Sequence, residues 1–321
     1  MKKIGLITSG GDAPGMNAVI RAIVKRSLKE GVVPFGIVQG FQGMIENKGA
    51  ELSSHDVSDI IYRGGTILRT ARSAQFKTEE GINLAADFLI EQAVEGLIVI
   101  GGDGTFKGAQ ELSILSKIPV VGVPATIDND INETDYTIGF DTALNTIIEA
   151  VDKIRDTANS HHRVFFVEVM GRDTGVLALH GAIACGASSV LVPEEKTDIN
   201  KLVNRIKASK ENESTIIIVA EGDDAGNSLA IMKSVEPLLP GYEIRHTVLG
   251  HIQRGGAPSA KDRIIGTRMG DMAIEILLNR ASNSMIGYTY DTFNVSPLSQ
   301  AVSKNSLPNL EMLRLVENLG N

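Results

Sequence analysis

Short apolar runs alternate with amphipathic stretches along the first half of the chain. Several runs have the length and apolar content of buried strands, and they are Lys3–Thr8, Val32–Val38, Leu97–Ile100 and Val120–Val123. The stretches between them carry apolar residues at helical spacing, and they are Met16–Leu28, Val57–Tyr62, Glu80–Val94 and Phe106–Leu115. Alternation of this kind predicts a parallel, doubly wound sheet with helices packed on its faces.

The same alternation returns in new sequence after residue 139. The segment Thr142–Arg155 carries an apolar stripe that includes Leu144, Ile147 and Val151. Further strands are predicted at Val164–Val169, Val190–Val192, Thr215–Ala220 and Arg245–Leu249, and further helices at Thr174–Ala184, Lys201–Ser209 and Thr267–Leu278. We therefore predict an α/β fold of two lobes, each a mostly parallel sheet flanked by helices. A length of 321 residues agrees with two lobes better than with one core.

Composition and charge narrow the functional classes. The net charge of −8, from 31 basic and 39 acidic residues, argues against a nucleic-acid partner. No run of eighteen uncharged apolar residues occurs, so no membrane span is expected, and Gly10–Asp12 interrupts the first apolar run too early for a signal peptide. Cys185 is the sole cysteine, which favours a cytoplasmic protein and a small buried thiol over a reactive one.

Glycines and acidic residues follow three of the predicted strands. The segments are Ser9–Gly15, Gly101–Thr105 and Thr126–Asp130. Because open α/β sheets bind ligands at the carboxyl ends of their strands, we expect these segments to meet in one site. Glycine backbone amides approach phosphate, and carboxylate oxygens are ligands for Mg²⁺. The pattern therefore predicts a site for phosphates and a metal ion.

Each of these segments also has a purely structural interpretation. Ser9–Gly15 is equally typical of a tight turn between strand and helix, and it lacks the lysine of a P-loop. Asp103 is a candidate ligand for Mg²⁺, but it could instead cap the helix that contains Phe106. Asp128 is a candidate general base for a substrate hydroxyl, although an Asx turn would account for one of the two aspartates.

Charged residues lie at or near the ends of the predicted strands of the second half. Arg172 comes after Val164–Val169, where a guanidinium would stabilise a phosphoryl group in transfer. Glu221 follows Thr215–Ala220 and would accept hydrogen bonds from sugar hydroxyls. Arg245 and the segment Gly250–Gly256 add two arginines and a histidine close to glycines, a composition suited to binding phosphate.

Taken in order, five motifs give the chain a specific resemblance. They are Gly10–Asn17, Gly101–Gly104, Thr126–Asp130, Met170–Arg172 and Gly250–Gly256. With them the chain resembles the bacterial ATP-dependent 6-phosphofructokinases over essentially its whole length. The resemblance implies a cytoplasmic homotetramer of glycolysis. Such an enzyme phosphorylates the 1-hydroxyl of fructose 6-phosphate with MgATP and gives fructose 1,6-bisphosphate and ADP.

The resemblance also implies roles for individual residues. The catalytic group has Asp128 as base, Arg172 and Arg72 on the transferring phosphoryl group, and Thr126, Asp130 and Gly11 in support. The residues assigned to ATP are Gly11, Arg72, Ser73, Gly102, Asp103, Gly104 and Thr105, with Asp103 as the Mg²⁺ ligand. The residues assigned to the sugar phosphate are Thr126, Asp128, Arg163, Met170, Gly171, Arg172, Glu221, Arg245, His251 and Arg254.

The expected site is shared between lobes and between subunits. Residues 1–138 with about 252–304 would form the ATP-binding lobe, and residues 139–251 with about 305–321 the sugar-phosphate-binding lobe. Arg163 and Arg245 would reach the sugar phosphate of a neighbouring subunit. Gly104 agrees with ATP as the donor, because pyrophosphate-using relatives carry an aspartate at this position and a lysine before the threonine of the base motif. Ala125 departs from the glycine that is usual in ATP users.

Regulation by ADP or phosphoenolpyruvate, which family members bind between subunits, is expected to be weak. The residues assigned to this effector site are Arg21, Lys25, Arg155, Gly186, Ser188 and Asn212. Lys25 replaces a usual arginine, Ser54 stands where another arginine is expected, and Asn212 and Glu213 stand where lysines are expected. Ser188 replaces an acid that often binds metal. Lys25 keeps the positive charge but loses the planar fork of arginine, whereas Ser54, Asn212 and Glu213 remove positive charge from an anion site.

Two other functional classes compete with this interpretation. NAD and lipid kinases carry a similar Gly–Asp–Gly motif, but they do not explain Met170–Arg172 or Gly250–Gly256. A catalytically silent nucleotide-binding subunit should have lost the base or the metal carboxylate. Asp128 and Asp103 are both present, which counts against that alternative.

Overall fold

The computed structural model describes residues 1–161, 163–208, 214–279, 283–303, 308–309 and 311–320. The chain divides into two compact units. The first unit comprises residues 1–127, 131–142 and 254–306. The second comprises residues 128–130, 143–253 and 307–321. Each unit is built around its own sheet.

The strands and helices of the described residues follow one another in alternation. The strands are β1 Lys3–Thr8, β2 Val33–Ile37, β3 Gly49–Glu51, β4 Gly96–Gly101, β5 Val120–Pro124, β6 Arg163–Val169, β7 Ser189–Leu191, β8 Thr215–Ala220, β9 Glu243–Val248, β10 Ser284–Thr289 and β11 Thr292–Pro297. The helices are α1 Met16–Lys29, α2 Gly40–Ile45, α3 Glu79–Glu91, α4 Asp103–Ser116, α5 Phe140–His161, α6 Val176–Cys185, α7 Ile199–Ala208, α8 Ser228–Val235, α9 Ala260–Leu278, α10 Leu298–Ala301 and α11 Glu311–Leu319. Short 3₁₀ turns occur at Gln75–Lys77, Glu236–Leu238 and Gly250–Arg254.

The first unit contains a sheet whose described strands have the order β11-β10-β5-β4-β1-β2-β3. Its centre is parallel, since β1 pairs with β2 and β4, and β5 pairs with β4 and β10, all in parallel. Antiparallel β3 and β11 form the two edges. The central strands are apolar throughout and fully buried, as expected of a sheet covered on both faces. Aromatic residues such as Phe41, Phe76 and Phe106 fill one of these faces.

The second unit contains a parallel sheet with the order β7-β8-β6-β9. The central strand β8 is buried along its whole length. Leu202 and Ile206 of α7 and Ile231 of α8 pack against Phe166 and Ile217 in the core on one side of this sheet. The two mostly parallel sheets with flanking helices confirm the predicted fold class. Among the described residues, no helix combines the length and apolar content that a membrane span requires.

One predicted helix is wrong. Val57–Tyr62 forms consecutive turns, with hydrogen bonds of the i to i+3 type from Ser58 N to His55 O and from Arg63 N to Ile60 O. The left-handed backbone of Asp59, at φ 54°, stops any helix from propagating through the segment. Apolar residues at helical spacing were too few here to outweigh these local turns. The predicted end of one helix at Ser209 lies outside the described residues.

Candidate active site

The turns after β1 and β4 pack against each other at the carboxyl edge of the first sheet. Ser9 N donates to Ile100 O at 3.1 Å, and Gly10 has a left-handed backbone at φ 84°. A Cβ on Gly101 would lie 2.5 Å from both Ser9 O and Thr105 Oγ1. Glycine is therefore required for the close approach of the two turns. The structure thus brings together two of the predicted phosphate-binding segments.

Asp103 starts α4 but does not cap it. Gly102 is the N-cap and no side chain accepts a capping hydrogen bond there. The Asp103 carboxylate instead forms an ion pair with Lys107 one helical turn later, with Oδ2 and Nζ 2.7 Å apart. The capping interpretation is therefore wrong. A partly exposed carboxylate at a helix N-terminus remains available to a cation bound with phosphate.

The space beside Asp103 suits a bound nucleotide. A Cβ on Gly104 would meet no atom within 4 Å, so this turn faces open space. The hydroxyl oxygen of Thr105 is buried and has no hydrogen-bond partner among the described residues. A buried hydroxyl of this kind is normally satisfied, which points to a ligand or water at this position. The described residues contain no group of three or more His, Cys, Asp or Glu side chains positioned to hold a metal ion. Asp103 stays the predicted Mg²⁺ ligand, and Mg²⁺ in phosphoryl transfer usually binds one or two carboxylates together with phosphate oxygens.

Gly11 and Arg254 are direct neighbours in the first unit. A Cβ on Gly11 would lie 1.9 Å from Nη1 of Arg254, so only glycine leaves room for the guanidinium. The Nε atom of Arg254 is buried and has no hydrogen-bond partner among the described residues. Sequence reasoning assigned Gly11 to ATP and Arg254 to the sugar phosphate without predicting that they touch.

The segment that carries Arg72 and Ser73 is anchored to α1. Asn17 Nδ2 donates to Arg63 O at 3.0 Å, and Asn17 Oδ1 accepts from Ile67 N at 2.9 Å. Arg72 itself is exposed, and Ser73 Oγ accepts from Phe76 N at 3.0 Å. Asn17 belongs to a motif noted in the sequence but had no assigned role. A buried amide that bonds to a distant loop leaves no signal in the local sequence pattern.

The segment Thr126–Asp130, called the base segment below, follows β5 directly. Ala125 N donates to Gly101 O at 3.0 Å, and Ala125 forms an isolated parallel bridge with Ile138. Thr137 Oγ1 donates to Thr126 O at 2.6 Å. Asp128, Asn129 and Asp130 pack with the second unit, and all three are at least nine-tenths buried. Asn129 has a left-handed backbone at φ 51°, which asparagine tolerates well.

Three strand ends meet in the second unit. Glu221 N donates to Val169 O at 3.0 Å, which joins the carboxyl ends of β8 and β6. Glu221 Oε1 accepts from Arg172 N at 2.8 Å, and Met170 N donates to Gln253 Oε1 at 3.3 Å. The structure thus brings Met170, Gly171, Arg172 and Glu221 together. Gln253 is fully buried and was not predicted to contribute.

His251 and the backbone around Arg172 complete this edge. His251 is exposed within the 3₁₀ turn Gly250–Arg254 that follows β9. Gly171 and Arg172 both have positive φ, at 148° and 59°. A non-glycine residue in the left-handed region is uncommon and costs free energy, so the surroundings must hold Arg172 in this conformation. The hydrogen bond from Arg172 N to Glu221 is one such restraint.

Arg163 and Arg245 lie near the amino-terminal ends of β6 and β9, away from the carboxyl ends that carry Met170 and Glu221. Arg163 begins β6 and pairs in register with Glu243 of β9, while Arg245 pairs with Phe165. Both guanidinium groups contact the Glu243 carboxylate, Arg163 at 2.8 Å and Arg245 at 2.5 Å. Since β6 runs seven residues, its two ends are about 20 Å apart. The fold of one chain therefore does not join these arginines to Met170 or Arg172.

The residues assigned to the effector site fall into separate groups. Arg21 and Lys25 line a cavity of about 560 Å³ along α1 and α9, and the other charged residues lining it are Arg26, Lys29, Arg268 and Asp271. Arg26 is engaged there by Glu30 at 2.9 Å and Asp271 at 3.1 Å.

The second group lies at the end of α6. Arg155 Nη2 donates to Cys185 O and Gly186 O, and Ser188 is buried where β7 begins. Asn212 and Glu213 lie outside the described residues. Cys185 is a half-buried free thiol, and burial raises its pKa to about 11. The thiol therefore stays protonated at neutral pH, as expected of an unreactive cysteine.

The fold is that of an α/β protein with glycine turns and an acidic residue at the carboxyl ends of its parallel strands, the usual place for a ligand site in open α/β sheets. Comparison with known sequences then identifies the family. The family model for phosphofructokinase matches residues 3–277, and the chain belongs to the phosphofructokinase family.

Similar proteins carry consistent names. The chain is 50% identical over 317 residues to ATP-dependent 6-phosphofructokinase 1 of Thermus thermophilus, covering 98% of both proteins. It is 53% identical over 289 residues to the ATP-dependent 6-phosphofructokinase of Clostridium tetani, covering 89% of both.

Solved structures share the fold. Phosphofructokinase from Saccharomyces cerevisiae matches with a TM-score of 0.86 and 34% identity, over 94% of this chain and 45% of the longer yeast chain. A pyrophosphate-dependent phosphofructokinase from Marinobacter aquaeolei has a TM-score of 0.87 at 19% identity, over 100% of this chain and 92% of the other. At 19% identity, the likeness to the Marinobacter aquaeolei structure shows the fold alone.

Proposed function

We propose that this protein transfers the γ-phosphoryl group of MgATP to the 1-hydroxyl of fructose 6-phosphate. The observation that carries the proposal is the pair of packed glycine turns after β1 and β4, with open space at Gly104 beside the Asp103 carboxylate. The sequence identity of about half to proteins named as ATP-dependent 6-phosphofructokinases supports the same donor and acceptor.

The proposed chemistry assigns a task to each part of the site. The backbone amides of the two turns bind the phosphates of ATP, and Mg²⁺, when bound at Asp103, neutralises phosphate charge. The Asp128 carboxylate accepts the proton of the sugar hydroxyl as the hydroxyl oxygen attacks phosphorus. Arg72 and Arg172 stabilise charge on the phosphoryl group in transfer. Thr126 and Asp130 support the base.

The sugar phosphate is bound mainly by residues of the second unit. Glu221 and Met170 lie at one edge of its sheet with Arg172, where they would contact the sugar. His251 and Arg254 follow in sequence at the end of β9, and the Arg254 guanidinium suits a phosphate oxygen.

The decisive experiment measures initial rates of fructose 1,6-bisphosphate formation with MgATP and with pyrophosphate. We expect turnover with MgATP alone. Asp128→Asn should lower kcat by roughly 10²–10⁴-fold, the usual scale for loss of a general base, and should change the KM for fructose 6-phosphate little. Turnover with pyrophosphate would contradict the role given to Gly104. Near-normal turnover of Asp128→Asn would remove Asp128 from the role of base.

Gly104→Asp directly tests why ATP is the expected phosphoryl donor. The added side chain meets only open space in the protein itself, so folding should be unaffected. It should raise the KM for MgATP, because the carboxylate would occupy space needed by the nucleotide and repel its phosphates. Gly104→Ala provides the matched control with a smaller, uncharged side chain.

We also propose that effector control is weak. The cavity along α1 is lined by basic residues, but Lys25 stands in place of the usual arginine, Ser54 replaces another, and acidic Asp271 engages Arg26. An acidic neighbour lowers the affinity of a cavity for anions. Steady-state rates with phosphoenolpyruvate or ADP present should change little up to millimolar effector, and sigmoidal inhibition below that concentration would contradict this proposal.

A further inference from the structure

A buried aspartate far from the base segment in sequence organises the chain next to it. Asp262 lies in the first turn of α9 and is fully buried. Its Oδ1 accepts from Tyr136 Oη at 2.8 Å and from Gly139 N at 2.7 Å. Its Oδ2 accepts from Thr142 N at 2.9 Å and from Thr142 Oγ1 at 2.5 Å. Four donors on one carboxylate fix the segment Tyr136–Thr142, called the return segment below.

The return segment contacts the end of β5 and the first residue of the base segment. Ile138 N donates to Pro124 O at 3.0 Å, which extends the parallel pairing one step beyond β5 to the bridge between Ala125 and Ile138. Thr137 is fully buried, and its Oγ1 donates to Thr126 O at 2.6 Å. The hydrogen bonds of Asp262 on Tyr136, Gly139 and Thr142 therefore fix the residues on both sides of Thr137.

The same segment also lies on the turn that precedes α1. A Cβ on Gly15 would lie 2.6 Å from Cγ2 of Ile138 and 3.3 Å from Cβ of Asp262. A Cβ on Gly139 would lie 2.6 Å from Cβ of Ala13. The return segment is thus packed between Asp262 and the Ser9–Gly15 turn with no room for an additional methyl group. It has little freedom to shift without moving that turn or the base segment.

Helix capping does not explain why the Asp262 carboxylate is fully buried. Burial raises the pKa of the Asp262 carboxyl above its ordinary value, while the hydrogen bonds from Thr142 and Gly139 oppose that shift. Ser259 already caps the helix through its own hydroxyl, which accepts from Asp262 N at 3.2 Å. The Asp262 side chain is directed at the return segment instead.

We propose that Asp262 is a positioning residue for the phosphoryl-transfer reaction, acting through Thr137 on the carbonyl of Thr126 and so on the base segment. The inference rests on the proposed function, since it takes the base segment to carry the general base. Asp262 is fully buried and is not among the residues assigned to either substrate. It sets where the backbone of the base segment lies before substrate binds, a contribution that appears in kcat more than in KM.

The principal test is Thr137→Val, which removes one hydroxyl and keeps the shape of the side chain. Ser113→Ala is the matched control. Ser113 is also buried, its Oγ donates to Ile118 O at 2.8 Å, and it lies near the end of α4, away from the turn at which that helix begins. We expect Thr137→Val to lower kcat at least tenfold with KM values for both substrates within threefold. Ser113→Ala should keep kcat within twofold at a comparable loss of thermal stability.

Hydrogen exchange supplies a readout that does not depend on turnover. In the free enzyme, amides of residues 125–130 should exchange at least tenfold faster in Thr137→Val and in Asp262→Asn than in wild type or Ser113→Ala. Unchanged exchange of residues 125–130 would overturn the proposal. It would also be overturned if the loss of kcat in Thr137→Val, Asp262→Asn and Ser113→Ala were simply proportional to the loss of thermal stability. If wild type makes no fructose 1,6-bisphosphate, the proposed function fails, while the exchange result still decides whether Asp262 fixes this segment. If Asp262→Asn does not fold, Thr137→Val alone decides the question.

Discussion

At the scale of single residues, the site depends on the absence of side chains as much as on their presence. Gly11 leaves the space that the Arg254 guanidinium occupies, and Gly101 lets two turns touch. Sequence motifs pointed to these glycines as phosphate-binding positions. They could not show that one of them makes room for an arginine almost 250 residues later, because that contact exists only in the folded chain.

Gly11→Ala should damage the site through Arg254. The new methyl group would lie 1.9 Å from Nη1 in the present geometry, so the guanidinium must move. We expect the KM for fructose 6-phosphate to rise at least tenfold, a cost of about 1.4 kcal/mol in binding. Steady-state kinetics of Gly11→Ala, Arg254→Ala and the double variant would measure this.

The double variant discriminates between two explanations. If Gly11 acts by leaving room for Arg254, the double variant should bind the sugar phosphate no worse than Arg254→Ala alone. Fully additive losses would show instead that Gly11 has an independent role, such as offering its backbone amide to ATP.

At the scale of elements, sequence periodicity was most successful for the buried strands, whereas the long helices α5 and α9 were predicted only in part, as Thr142–Arg155 and Thr267–Leu278. The predicted β1, β4, β5 and β8 agree with the structure to within a residue or two. Elements without a sustained period were missed, including α8 and the hairpin β10–β11. The hairpin turns through Tyr290 and Asp291, which both have left-handed backbones at φ 48° and 58°. No glycine marks that turn, so the usual hairpin signature is absent.

The sequence carries a start signal for helix α8 in Asn227. Asn227 Oδ1 accepts from Ala230 N at 3.0 Å and so caps the helix, and Glu168 Oε2 accepts from Ser228 N at 2.8 Å. Asparagine before a short apolar stretch is typical of a helix N-terminus. Eight residues are too few for periodicity to be convincing.

Asn227→Ala should destabilise the protein by about 1 kcal/mol, because Ala230 N would lose its capping acceptor. Urea denaturation monitored by far-UV circular dichroism would measure the loss. Asn227→Asp should retain stability, since a carboxylate accepts the same hydrogen bond and interacts favourably with the helix dipole. An alanine variant as stable as wild type would mean that Glu168 alone satisfies this helix end.

At the scale of the whole molecule, the assigned substrate residues do not all meet within one chain. Met170, Arg172 and Glu221 share one edge of the second sheet, while Arg163 and Arg245 bind Glu243 at the other. Motif reasoning alone treated Arg245 and Gly250–Gly256 as neighbours because they are close in sequence. Arg245 lies near the start of β9, and the remainder of that strand separates it from Gly250–Gly256. We therefore propose that these two arginines serve the site of an adjoining subunit in a homotetramer.

Mixed oligomers would test this arrangement. Asp128→Asn and Arg245→Ala should each be nearly inactive alone. Co-expressed in equal amounts with different tags, they should recover about a quarter of wild-type activity, because a quarter of the sites would combine an intact base with a neighbour's intact arginine. Mixed oligomers no more active than either parent would place Arg245 in the site of its own chain.

The open space at Gly104 offers a place to attach a reporter. The one natural thiol, Cys185, is half-buried with a pKa near 11, so maleimide or iodoacetamide dyes should leave it largely unlabelled at neutral pH. Gly104→Cys would introduce a second thiol at a helix N-terminus, where the thiolate is favoured and the protein presents no obstructing atom within 4 Å. An environment-sensitive dye at this position would sense nucleotide directly. Protection of the thiol by ATP would then report occupancy in the absence of any sugar substrate.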